Sequence, residues 1–71
     1  MTTDMATAQQ LMTEVQTEVG KDKKLALDEL LRVLEGPEKR RLDEVAKFDV
    51  NDPRFDSAFA MFREEMLRSA N

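Results

Sequence analysis

The sequence predicts an all-α fold, a small helical bundle of three to four short helices. Two observations carry it. Good helix formers (Ala, Leu, Met, Glu, Lys, Arg and Gln) dominate, while Ile, Trp and Tyr are absent and the β-branched residues are mostly isolated. Apolar residues also recur at gaps of three and four along most of the chain. With 71 residues the chain allows one domain. A domain this small buries only about 60% of the surface its unfolded chain exposes, so its stability is marginal.

The first segment runs from about Thr3 to Val19. Met5, Ala8, Met12, Val15 and Val19 fall at gaps of three, four, three and four, an a/d seam with Leu11 beside it. Thr3 with Asp4 makes a start and Gly20 a stop. By propensity this helix is weak. All five threonines lie within the first 17 residues, and Glu14 and Glu18 repel at i,i+4 near the negative end of the dipole. A weak helix with a clean apolar seam needs something to pack on.

The second segment runs from Asp22, its expected cap, to Glu35. Leu27, Leu30, Leu31 and Leu34 make a strong apolar face, widened by Leu25 and Val33. Lys24–Asp28 and Asp28–Arg32 are i,i+4 pairs. Gly36-Pro37 ends it, glycine as C-cap and proline unable to continue. Gly20 could instead lie inside one long helix from Asp4 to Glu35, at about 1 kcal/mol relative to alanine. The shift of the apolar face after Asp22 favours a break.

The third segment, Pro37 to Lys47, has Pro37 at its first position and Glu38 near the positive helix end. Its apolar face is thin, with Leu42, Val45 and Ala46, and Arg40–Glu44 and Asp43–Lys47 are its i,i+4 pairs. Phe48 to Asp52 reads as a short extended link anchored by Phe48 and Val50. Asp52-Pro53 then caps and starts the last helix, to about Ser69. Phe55, Ala58, Phe59, Phe62 and Met66 form its apolar face, flanked by Met61 and Leu67. All four phenylalanines lie between positions 48 and 62, so this region supplies most of the bulky core. The chain divides into residues 1–20, an amphipathic helix that is weakly attached, flexible or an interface, either packing as a fourth member of the bundle or docking on another chain, and residues 21–71, a compact helical domain.

Composition narrows function. No Cys means no disulfide, and without Cys or His a zinc site has no usual ligands. The common bases and nucleophiles are nearly absent; Ser57 and Ser69 sit in no nucleophile-elbow pattern, and the two glycines make no phosphate loop. The chain is therefore expected not to be an enzyme, and to need no cofactor. An EF-hand counted from Asp49 fails at Pro53, Arg54 and Ala60, so Asp49, Asn51, Asp52 and Asp56 read as capping residues and no metal is expected. The polar start MTTDMATAQQ and the lack of a long apolar run predict a cytoplasmic protein with no membrane partner.

Three functional readings remain. The leading one is a small protein–protein interaction module (an adaptor, regulator or assembly chaperone) acting through the N-terminal helix. Its interface would be Met5, Ala8, Met12, Val15 and Val19, and its partner another protein chain or a second copy. Met5 and Met12 suit an adaptable surface, whereas Met61 and Met66 suit gap-filling among the phenylalanines. The second reading is a nucleic-acid-associated regulator using Lys39, Arg40 and Arg41, disfavoured by a net charge of −4 and by the acids flanking that cluster. The third is a structural subunit of a larger assembly. Gly-Pro and Asp-Pro punctuation between short helices is shared by many unrelated proteins, so fold alone does not choose among them.

Overall fold

A computed structural model describes residues 5–69. Four helices follow in order: α1 (Met5–Thr17), α2 (Gly20–Val33), α3 (Pro37–Val45) and α4 (Pro53–Ser69), with no strand among the described residues. The all-helical expectation is met. The expected start at Thr3 and Asp4 lies outside the described residues.

The chain is built as two helical hairpins laid against each other. The first is α1 with α2, the second α3 with α4, and their apolar faces meet between them. From α1 come Ala8, Met12 and Val15; from α2 Ala26, Leu27, Leu30 and the adjoining Leu34; from α3 Leu42 and Val45; from α4 Phe55, Phe59, Phe62 and Met66. Each helix thus contributes residues at helical spacing to one cluster. The rings of Phe55 and Phe59 stack at 5.6 Å, and Phe59 and Phe62 sit tilted at 5.7 Å. These aromatic contacts add to the area term that dominates the stability.

The breaks between helices differ in detail from the expected ones. Val19 is extended at φ −131° and ψ 159°, and Gly20 has φ +57°, so no helix runs through this point. Val19 is the N-cap of α2 and offers no side-chain hydrogen bond; Asp22 lies in the first turn, where its charge favours the helix dipole without capping it. Gly36 does not cap α2 either. Leu34 leaves that helix in an extended conformation, its N–H still donating to the Leu30 carbonyl, and Gly36 at φ 65° and ψ −139° is the N-cap of α3. Pro37 then takes the first helical position as expected.

The link at 48–52 is a turn rather than an extended strand. The Asn51 N–H donates to Asp49 Oδ1 at 2.8 Å, and the Asp52 N–H to the Asp49 carbonyl at 2.9 Å. Val50 is buried by this turn. Asp52 caps α4 as expected, accepting from the Arg54 N–H at 2.9 Å. The Arg54 guanidinium also bonds the Asp52 carboxylate, at 2.7 Å, which holds that carboxyl below its ordinary range and raises Arg54 correspondingly.

Lys24 pairs with Asp28 at 2.9 Å, as the spacing predicts. Arg32 turns instead to Glu29 at 2.6 Å, and Lys47 to Glu44 rather than Asp43, both at i,i+3. Arg41 leaves its own helix and meets Glu65 across the second hairpin at 3.2 Å.

Candidate functional site

Α-helical geometry decides which residues of α2 remain available. Leu27, Leu30 and Leu34 face the core. Leu25, two residues from Leu27, is turned about 200° away from it. It is 63% exposed and does not widen the inner face as the pattern predicts. Asp22, Leu25, Glu29 and Arg32 recur at gaps of three and four and form a second stripe along α2. On α1 the positions beside the buried seam, Leu11, Glu14 and Glu18, repeat the same spacing.

These two stripes border a groove of about 400 Å³ along the outside of the first hairpin, with Ala26 at its floor. Leu11, Leu25 and Ala26 supply its apolar surface; Glu14, Glu18, Asp22 and Glu29 rim it, with Arg32 as the one basic side chain in the lining. Arg32 is held by Glu29, whereas Glu14, Glu18 and Asp22 make no ion pair among the described residues. Four acids against one base place most of the chain's net charge of −4 along this groove. Its acids are strung along two helices and do not converge: no group of three or more His, Cys, Asp or Glu among the described residues could hold a metal ion. No helix among the described residues is long and apolar enough to cross a membrane.

The seam expected to meet a partner lies elsewhere. Ala8, Met12 and Val15 are completely buried in the chain's own core, where the leucines of α2 and the phenylalanines of α4 provide their packing surface. Met5 is half-buried against the same cluster. Only Val19, at the turn between α1 and α2, stands out at 78% exposure. Lys39, Arg40 and Arg41 are exposed on α3. Successive helical positions diverge by about 100°, so the three do not share a face. Arg41 is engaged with Glu65, while Lys39 and Arg40 make no ion pair among the described residues.

A second shallow depression lies between α3 and α4. Met61, 64% exposed, sits there with Val45, Ala58 and Phe62, bordered by Arg41, Glu44 and Glu65. Its charges are mixed, and the Arg41–Glu65 pair spans it.

No protein-family model, curated protein or solved structure matches the chain. The functional reading therefore rests on the groove's own geometry and charge.

Proposed function

We propose that this chain is a small, non-catalytic helical module of the cytoplasm that binds another protein, in the manner of an adaptor, regulator or assembly chaperone. The observation that carries the reading is Leu25, a large apolar side chain left 63% exposed in the α1/α2 groove beside Leu11 and Ala26. An isolated exposed leucine is ordinary. One set in a groove with further apolar surface and a polar rim has the make-up of a recognition site. The N-terminal helix keeps its part in this reading, but through Leu11, Glu14 and Glu18 on its outer edge. Its seam of Ala8, Met12 and Val15 is already filled from within.

A groove between two helices suits a third helix laid along it. The test is a titration of the ¹⁵N-labelled full chain with 18-residue amphipathic peptides whose polar faces are basic, acidic or neutral. Amide shifts concentrated in Leu11–Glu18 and Asp22–Arg32 with at least one of them are the expected result. If none of the three moves those amides at millimolar concentration, the module reading falls.

A further inference from the structure

Resting on the reading of the α1/α2 groove as a docking surface, we propose that its occupant is a basic amphipathic helix of two to three turns from another protein. Charge is the first argument. Around Leu25, Glu18 and Asp22 are exposed and Glu14 is half-buried, none of them with an ion pair among the described residues, and Glu29 already has Arg32. An acidic or neutral helix could cover Leu25, but an acidic one would meet like charges on both edges. A basic one would place Lys or Arg against Glu14 and Glu18 on one side and Asp22 on the other.

Length is the second argument. The α1 stripe from Leu11 to Glu18 spans about 10 Å and the α2 stripe from Asp22 to Arg32 about 15 Å, at 1.5 Å per residue. That is two to three turns of an incoming helix. An apolar residue at one position and again three or four later would reach Leu11 and Leu25. An extended polybasic peptide would satisfy the acids but leave the leucines uncovered. The depression around Met61 gives a weaker preference, because both of its acids already have a cation: Glu65 is paired with Arg41 and Glu44 with Lys47.

The test compares three 18-residue peptides by calorimetry and amide shifts on the full chain: a Leu/Lys amphipathic helix, its Leu/Glu counterpart, and a scrambled Leu/Lys sequence of the same composition. The Leu/Lys helix is expected to bind in the groove, the other two far more weakly. Glu14→Lys with Glu18→Lys should weaken it by up to about 25-fold, taking each exposed pair as worth up to about fivefold. Glu14→Gln with Glu18→Gln, which keeps the side-chain shapes, should weaken it by a smaller factor, and Leu25→Ser should also weaken it. Glu38→Lys with Asp43→Lys, the same charge change on α3, should leave it unaltered. Circular dichroism checks that each variant is folded.

If the Leu/Glu helix binds the groove equally well, the basic partner is wrong and the docking groove stands. Equal binding of the scrambled peptide, or equal loss from the α3 variant, makes the attraction general and overturns the proposal. Groove shifts that arise from protein concentration alone would make a second copy the occupant and overturn it too. No groove shift with any peptide removes the docking reading itself.

Discussion

Lys23 of α2 reaches across the hairpin interface to Asp56 of α4, Nζ to Oδ1 at 2.6 Å. The lysine side chain is only 10% exposed, whereas the aspartate is 62% exposed. The ammonium also lies 5.4 Å from the centre of the Phe55 ring. One long side chain thus joins the two hairpins beside the core, its stem packed and its charge met by a carboxylate at the surface. Gln16, which accepts from Arg63 Nη1 at 2.7 Å, makes a similar link from α1 to α4.

The burial asymmetry makes the pair respond asymmetrically to substitution. Asp56→Ala leaves a mostly buried ammonium without its partner, and is expected to cost about 1–2 kcal/mol once the exposure of Asp56 is discounted. Lys23→Met keeps the stem and removes the charge, and is expected to cost less than about 1 kcal/mol. Urea denaturation of both single variants and the double variant measures the coupling. Equal costs for the two singles would contradict this account.

Met12 tests whether α1 is part of the cooperative unit. Its side chain is fully buried among residues from other helices. Met12→Ala is expected to cost about 2–4 kcal/mol and to lower the midpoint of a single transition for the whole chain. Were α1 an appendage, the variant would lose α1 helicity while the rest unfolded at its former midpoint. Far-ultraviolet dichroism and phenylalanine-region NMR signals, followed in one denaturation series, separate these outcomes.

The two glycines should behave alike in direction and differ in size. A methyl group at Gly20 would meet nothing within 4 Å, so Gly20→Ala carries only the cost of φ +57°, about 1 kcal/mol. Gly36 combines φ 65° with ψ −139°, a region close to glycine-only, and Gly36→Ala is expected to cost about 1–3 kcal/mol. Thermal melts of the two variants would show the larger fall for Gly36. A D-alanine placed at Gly20 by synthesis should restore or exceed the parent melting temperature.

The pattern of leucines, methionines and phenylalanines shows the helices because that periodicity is a local property of the chain. The turn at Gly20, the first position of α3 at Pro37 and the cap at Asp52 are similarly local. Gly36 was open to misreading because a glycine between two helices can serve either one, and only the path of Leu34 and Glu35 decides which. The destination of the α1 seam was not legible. An a/d seam specifies an apolar neighbour, and the same spacing serves a partner chain or the leucines of α2. Leu25 was a readable signal, since it falls off the 27-30-34 spacing that orients the helix. The groove beside it needs the register of α1 against α2, which arises only from folding.

Asp52 gives the fold a small acid sensitivity. Its hydrogen bonds from Arg54 stabilise the carboxylate, so its folded pKa lies below the unfolded value. The stabilisation is present above the unfolded carboxylate range and is lost as pH falls through the lowered folded value. Asp52→Asn keeps a good N-cap but cannot titrate. Its melting temperature should fall less on acidification than the parent's, because only the other carboxylates then titrate. Parallel curves for the two proteins would show that the cap charge contributes nothing.

Leu25 and Leu27 separate what the fold requires from what the surface offers. Leu27 is 1% exposed in the core, and Leu27→Ala is expected to cost about 2–5 kcal/mol, a large part of the stability of so short a chain. Leu25 is 63% exposed on the same helix, and Leu25→Ser should change stability by no more than about 0.5 kcal/mol. Both figures come from one denaturation experiment on two variants. A loss of more than 1 kcal/mol from Leu25→Ser would mean that this leucine supports the fold, and the case for the groove would lose its central observation. Near-zero change would leave its apolar surface without a structural use inside the chain, which is the condition the docking reading needs.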